Sequence, residues 1–323
     1  MPVYNEVRFI EQSIISVLNQ SFCDFKFIIS DNHSTDGTDA IIKKYKQLDT
    51  RIISISPPNF LSSLEHGDYL HRNILINENF NKYTIFIGGH DIWDNNLLSC
   101  LFDAAEKNPN AAIVYTDTLE LDHNNNVTKK YNDCLQTEDI SRSFIPHHIL
   151  IGLTHNIIIG GLMRENIRRK IEMRYKCSAI DHFFVAEMAL EGSILYQQGS
   201  HIYLRIAPDF QSGFNYYCTK HIPLHIRQIA ILDFINQLEW ASSLLEKAVI
   251  GNEFLNTPLI FKMLKNSLLS AYICRYWPHL TGIDNAYESF FNNKEVNSII
   301  NLNNECSNIF DLLISSTHNN NVN

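Results

Sequence analysis

Short apolar runs punctuate the first half of the chain. Phe25–Ser30 (FKFIIS) stops at Asp31, Arg51–Ser56 (RIISIS) at Pro57-Pro58, Tyr83–Ile87 (YTIFI) at Gly88-Gly89, and Ala111–Tyr115 (AAIVY) is a fourth. Their length, β-branched content and flanking breakers predict buried strands. Between them, apolar residues return at helical spacing. Ile10, Ile14, Val17 and Leu18 form one stripe, with Asn5 as its expected cap. Ser34-Thr35-Asp36 is expected to open a second helix carrying Ile41, Ile42 and Tyr45, and Asn95 or Asn96 a third through Leu97, Leu98, Leu101, Phe102 and Ala105. Such alternation predicts an α/β domain with a mixed, mostly parallel sheet and helices on both faces.

The pattern changes near Phe214. Strand signals fade, and Ile229, Leu232, Phe234, Ile235, Leu238 and Leu245 fit one long helix. Leu259–Tyr276 fits another, ended by Trp277-Pro278. The expected organisation is a Rossmann-like α/β domain over 1–213, a C-terminal α-helical region over 214–310, and a disordered Asn-rich tail over 311–323.

Composition narrows the function classes. The 323 residues are 45% hydrophobic, enough for a sizeable core. A net charge of -9 weighs against general nucleic-acid binding but leaves room for a local basic pocket. The basic run Arg164, Arg168, Arg169, Lys170, Arg174 and Lys176 reads as a solvated helix face; the alternative is a contact for a phosphorylated acceptor or an anionic membrane surface. Seven widely spaced cysteines with no C-x-x-C pair fit reduced thiols in a cytoplasmic protein. Neither a signal segment nor an apolar run of roughly 18–20 residues is visible. The expectation is a cytoplasmic protein, soluble or peripheral to the inner face of the membrane; Lys262, Lys265 and Arg275 permit such contact.

In a parallel α/β sheet, ligands bind outside the carboxyl ends of the strands. Three strand-end loops, Pro2–Glu6, Asp31–Ser34 and Gly88–Asp91, should therefore converge on one crevice. Asp31 suits a hydrogen bond to a base N–H or a ribose hydroxyl, or a cap for the following helix. Asp91 is the candidate metal ligand: hard cations on diphosphates take few protein ligands, His90 beside it is an acceptable donor, and two glycines permit close approach. The same four residues also make an ordinary turn. Asp181 precedes the apolar run Phe183–Leu190, where a helix dipole keeps a carboxylate ionised; that suits a general base and equally a plain N-cap. The chain has no G-x-G-x-x-G, P-loop, H-E-x-x-H or zinc spacing, and His147-His148 reads as packing.

Met1–Thr38 (MPVYNEVRFIEQSIISVLNQSFCDFKFIISDNHSTDGT) resembles the opening of family 2 glycosyltransferases, which have the GT-A fold. The shared pattern is a strand, P-x-Y-N-E, a helix ending S-x-L-x-Q-[ST]-F, and a strand ending D-D-x-S-x-D-x-T. His71-Arg72-Asn73 resembles the A-R-N segment. Tyr83–Trp93 resembles the strand leading into the acidic D-x-D motif, and Ala179–Gly192 (AIDHFFVAEMALEG) resembles the segment carrying the base. Together these cover about residues 1–210.

The resemblance implies a nucleotide-diphosphate sugar donor, a glycan or lipid-linked acceptor, usually inverting transfer, and a place in bacterial surface glycan synthesis. It implies that Pro2, Tyr4 and Glu6 line the nucleoside pocket, Asp31 binds the base, Arg72 holds the nucleotide, Asp91 coordinates Mn or Mg, and Asp181 is the general base. There are departures. The usual D-x-D-D reads Gly88-Gly89-His90-Asp91, leaving His90 to substitute as a ligand or to bond the donor ribose. Asn32 and Ile180 replace two further acids. The chain also begins inside the first family strand, at Met1, so a start further upstream is expected. The alternative reading is a catalytically impaired nucleotide-sugar-binding protein of the same fold.

Overall fold

The computed structural model describes residues 1–76, 82–131, 135–153, 157–171, 179–205 and 224–276. Their contacts divide the chain into two units, one of Met1–Ile140 with Leu153–Ser212, the other of Ser141–Gly152 with Gly213–Asn323.

The first unit opens β1 (Pro2–Val3), α1 (Ile10–Leu18), β2 (Phe27–Asp31), α2 (Thr38–Leu48), β3 (Ile52–Ile55) and α3 (Ser63–Ile76). β1, β2 and β3 form a parallel sheet in that order. Val3 stands opposite Asp31, so the β1 and β2 ends lie side by side. Next come β4 (Tyr83–Thr84), β5 (Ile92–Trp93), α4 (Leu97–Lys107), β6 (Ala111–Leu121), β7 (Val127–Tyr131), β8 (Leu162–Arg164), α6 (Glu165–Arg168), α7 (Ile180–Glu191) and β9 (Ser193–Arg205), with α5 (Ile145–Gly152) in the other unit. Their sheet has the order β4-β8-β6-β9-β5, with β7 added on β6. The β6/β9 ladder is parallel, and the β4/β8, β6/β8, β5/β9 and β6/β7 ladders are antiparallel. The sheet system is thus mixed: the β1/β2, β2/β3 and β6/β9 ladders are parallel as the alternation predicts, and the four antiparallel ladders add to them.

The apolar stripes do what their spacing predicts. Ile10, Ile14 and Val17 of α1 are buried, as are Leu97, Leu98, Leu101 and Ala105 of α4, in one core with Val3, Phe27 and Ile29. Each fully buried Ile or Leu contributes about 1.5–3 kcal/mol.

Helix starts differ in part from expectation, and at α4 a distant side chain takes a free N–H. Asn5 does not cap α1: it sits at φ 54 and its Oδ1 accepts the Thr35 N–H at 2.8 Å. α2 begins at Thr38 after a left-handed Gly37, and Asp36 Oδ1 accepts the Thr38 N–H at 3.0 Å. Asn96 makes no side-chain cap for α4; instead Gln20 Oε1 accepts the Leu98 N–H at 2.9 Å while its Nε2 donates to Asp94 O at 2.7 Å and Ser16 O at 3.0 Å. The conserved-looking Q of the helix-end pattern is a cross-element clamp.

The basic run is a solvated face only in part: Lys170 is exposed and Arg169 half-buried. Arg164 is buried and donates to the carbonyls of Ala105, Asn108 and Ala111. Arg168 is fully buried against Glu165. Arg174 and Lys176 lie outside the described residues.

In the second unit, a 3₁₀ turn (Arg142–Phe144) leads into α5, which packs with α8 (Leu224–Val249) and α9 (Pro258–Tyr276). Trp240, Leu244, Leu245 and Tyr272 are buried there, and Tyr272 Oη donates to Gln237 Oε1 at 2.9 Å. Among the described residues, no helix is long and apolar enough to cross a membrane. The expected tail over 311–323 lies outside the described residues.

Candidate active site

The three strand-end loops are tied together by side chains acting as backbone partners. Asn5 N–H donates to Ser34 Oγ, Glu6 N–H to Thr38 Oγ1 and Val7 N–H to Asp36 Oδ2, each at 2.9 Å. This is why the S-x-D-x-T pattern follows β2: three polar side chains hold the Tyr4–Val7 loop. Asp31 Oδ1 accepts the Ser34 N–H at 3.1 Å and its hydroxyl at 2.5 Å, so one oxygen serves a turn. Asn32, where the family pattern has an acid, clasps Leu61 through both its backbone groups, at 2.8 and 3.0 Å. Behind the loop, His66 Nε2 lies 2.8 Å from Ser30 Oγ in the interior.

The third loop joins through Gly89. A side chain there would meet Val3 Cγ1 at 2.8 Å and Glu6 Cγ at 3.0 Å, so only glycine lets the loop lie on the first one. The result is a contact between Glu6 and His90, with Nδ1 2.8 Å from Oε1. A carboxylate only accepts, so Nδ1 carries the proton. Burial opposes the charged imidazole, but the Glu6 hydrogen bond and the charge of Asp91 outweigh it and raise its pKa above the ordinary value.

Asp91 is buried, and both its oxygens are engaged: Oδ2 accepts the Gly88 N–H and Oδ1 the Arg205 N–H, each at 3.1 Å. Burial raises its carboxyl pKa, against the opposing pull of His90 and these amides. The Arg205 guanidinium closes the floor. It donates to His90 O at 3.1 Å, Asp122 O at 2.9 Å and Asn125 Oδ1 at 2.6 Å, and lies 4.2 Å over the Phe9 ring. Sequence reasoning missed Arg205, since nothing in the local pattern shows that β9 ends beside the Gly88–Asp91 turn.

A cation at this corner would have few protein donors. Among the described residues no three His, Cys, Asp or Glu gather round one point. Two donors do: His90 Nε2 and Asp91 Oδ1 are 3.9 Å apart. A Cβ on Gly88 would lie 3.4 Å from His90 Nε2 and 2.6 Å from Asp91 Oδ2, so glycine keeps the space between them clear. Cations held by substrate phosphates commonly take only one or two protein ligands.

The other predicted residues are placed as follows. Pro2 sits in β1 opposite Ser30. Tyr4 is exposed, with its ring 5.0 Å edge-on to Phe60. Asp181 stands in the first turn of α7, which packs on β6 and β9, and its Oδ1 accepts both the His182 N–H and ring Nδ1–H at 2.9 Å. Arg72 lies on α3, and its side chain is outside the described residues. A separate cavity of about 530 Å³ at the opposite end of β2 is lined by Phe27, Leu70, Tyr83, Trp93 and Phe102 and holds none of the candidate residues.

The sequence profile described as glycosyl transferase family 2 matches residues 1–171. An uncharacterized glycosyltransferase of Methanocaldococcus jannaschii is 30% identical over 154 residues, 47% of this chain and 51% of that protein. A Campylobacter jejuni GalNAc(5)-diNAcBac-PP-undecaprenol beta-1,3-glucosyltransferase is 25% identical over 132 residues, 41% of this chain and 40% of that protein. The chain thus spans about half or less of the length of these relatives. Among solved structures, Staphylococcus aureus TarS 1–349 in complex with UDP-GlcNAc superposes with a TM-score of 0.52 at 13% identity, covering 87% of this chain and 81% of that one. That likeness shows a shared GT-A fold.

Proposed function

The chain belongs to glycosyl transferase family 2, and from that premise we propose that it moves a sugar from a nucleoside-diphosphate donor to an acceptor hydroxyl with inversion. The observation that carries this is the set of hydrogen bonds tying together the loops after β1, β2 and β4, which carry Glu6, Asp31, His90 and Asp91.

In this reading Pro2, Tyr4 and Glu6 border the nucleoside, Asp31 takes a base N–H, and Arg72 faces the nucleotide. His90 and Asp91 hold a divalent cation, which would offset negative charge on the departing diphosphate. Asp181 removes the acceptor hydroxyl's proton as that oxygen bonds to the anomeric carbon and the bond to the diphosphate breaks. Asp181 stands in the first turn of α7, and His182 occupies one of its oxygens. In this reading the acceptor is a lipid-linked glycan of bacterial surface synthesis, met on the cytoplasmic side; the undecaprenol-linked glycan in the name of the Campylobacter relative supports the acceptor class.

A second reading, a nucleotide-sugar binder without turnover, is favoured by one observation: both Asp91 oxygens already serve backbone amides. A panel of UDP-, GDP-, CMP- and dTDP-sugars separates the two, scored by thermal shift and by nucleotide release. Asp181→Asn should keep the donor shift and lose about 10²–10⁴-fold in kcat. Equal turnover in the variant would remove Asp181 from the chemistry. Donor binding without turnover in the parent protein, with any acceptor, would support the binder.

A further inference from the structure

We propose that the tip of the α8–α9 hairpin docks the protein on an anionic lipid bilayer, inserting Ile250, Phe254 and Leu259 among the headgroups. Such docking is independent of the transfer reaction and serves a transferase or a sugar binder alike.

Burial along the hairpin is uneven. Trp240, Leu244, Leu245 and Val249 of α8 are buried, and on α9 burial begins only at Leu268, Leu269 and Tyr272. None of the residues 250–267 between them is buried, although eight are Ile, Leu, Phe or Met. The turn itself shows the most: Ile250 is 72% exposed, Phe254 68% and Leu259 69%. One exposed leucine is ordinary, whereas three large apolar side chains on one turn form a patch. The turn also pairs much of its own backbone. Asn252 Oδ1 accepts the Leu255 N–H and Asn252 O the Asn256 N–H, each at 3.0 Å. Thr257 donates its N–H and its hydroxyl to Phe254 O, at 3.2 and 2.9 Å. Pro258 opens α9 and has no N–H to satisfy. Backbone groups paired inside the turn can leave water at little cost.

Charge selects the kind of surface. The whole chain is acidic at -9, yet residues 250–267 carry Lys262 and Lys265 against a single acid, Glu253. The two lysines stand about 4.5 and 9 Å along α9 from Leu259 at the helical rise per residue. Interfacial helices bury their apolar side about 5–10 Å deep, so a seated tip leaves both ammonium groups among anionic headgroups. The three side chains offer roughly 400 Å² of apolar area, half of what each partner brings to a standard protein interface. Lipid therefore suits the tip better than a second copy of the chain. Among the described residues no helix is long and apolar enough to span, so the tip rests in one face of the bilayer.

The test is co-sedimentation of the full chain with vesicles of phosphatidylcholine alone, or with about one-third phosphatidylglycerol. Binding should need phosphatidylglycerol. The triple variant Ile250→Ser/Phe254→Ser/Leu259→Ser should weaken it by roughly tenfold or more. Lys262→Gln/Lys265→Gln should weaken it by about fivefold or more, and Glu253→Gln, which removes the opposing charge, should strengthen it. Phe254→Trp should add emission that lipids brominated in the upper acyl chain quench beyond the level of the parent protein. Thermal midpoints check that each variant folds. No binding to phosphatidylglycerol vesicles, binding kept by the triple variant, or added emission that brominated lipid leaves unquenched would overturn the inference. A dimer in sedimentation equilibrium that the triple variant abolishes would overturn it too, and would assign the tip to a second copy. No donor sugar enters these assays, so the transfer reading stands or falls separately.

Discussion

Replacing Arg168 by methionine should destabilise the protein by about 3 kcal/mol, at the lower end of the 3–5 kcal/mol typical for breaking a buried ion pair. The guanidinium is fully buried, with Nε 2.5 Å from Glu165 Oε1 and Nη2 3.0 Å from Oε2, and its Nη1 donates to His71 Nδ1 at 2.7 Å. Methionine fills much of the same volume, so the loss is mainly electrostatic. Glu165 would remain, itself buried, with only Arg169 at 3.3 Å and the Thr84 hydroxyl among the described residues to compensate its charge. Those two partners are why the lower figure is chosen. Glu165→Met removes the carboxylate that serves Arg168, Arg169 and Thr84 at once, and belongs nearer 5 kcal/mol. The double variant should be milder than the sum, because an ion pair exchanged for apolar side chains is often close to neutral. Thermal unfolding reads this directly. A body of this size shifts by roughly 2–4 °C per kcal/mol, so Arg168→Met should melt about 6–12 °C lower. A change under about 2 °C, or strict additivity in the double-mutant cycle, would mean that the pair is solvated and the burial argument wrong.

Two further outcomes follow from other parts of the chain. Gln20→Ala strands the Leu98 N–H and the Ser16 carbonyl and leaves the Asp94 carbonyl with the Leu97 N–H, and should cost about 2–3 kcal/mol in urea unfolding; a loss below 0.5 kcal/mol, roughly a surface value, would refute the clamp. Burial pushes the His147 imidazole down from 6.5 to about 4. The native ring stays neutral where the unfolded one takes a proton, so stability should fall as pH drops from about 6.5 to about 4, by up to about 3 kcal/mol. His147→Leu should flatten that fall by the same amount; parallel pH profiles for the two proteins would count against it.

Much of this fold is legible in the sequence because its signals are local. The runs at Phe25–Ser30 and Arg51–Ser56 are strands because β-branched residues sit between breakers; β3 falls inside its run, and β2 continues past its own to Asp31. The stripe of α1 is buried where the spacing places it. The run Tyr83–Ile87 pairs only over Tyr83–Thr84, with Arg164 and Met163 of β8. β9 is hard to see for a different reason. Its alternation is broken at Gln197-Gln198-Gly199, where a bulge sets residues 197–200 opposite Thr116 alone, with Gly199 at φ 114. The basic run misleads because charge spacing says nothing about what lies across a helix. Arg164 and Arg168 are buried because backbone carbonyls and Glu165 wait for them there.

That bulge also explains why the role of Asp91 stays open when only its neighbours are read. Gly-Gly-His-Asp serves a turn or a ligand equally well, and the deciding partner is 114 residues away in the chain. Beyond the bulge, β9 runs in register with β6 from Asp117↔His201 to Leu121↔Arg205. Only in that register does the Arg205 N–H meet Asp91 Oδ1 while its guanidinium reaches the His90 carbonyl. A slip of one residue would send the Arg205 side chain to the other face of the sheet and take the floor from the site. The corner that presents His90 and Asp91 is therefore specified twice. Locally, two glycines let the loop lie against Glu6. At a distance, a bulged strand delivers one N–H and one guanidinium. The first appears in the motif; the second is a matter of register, which no motif in that loop contains.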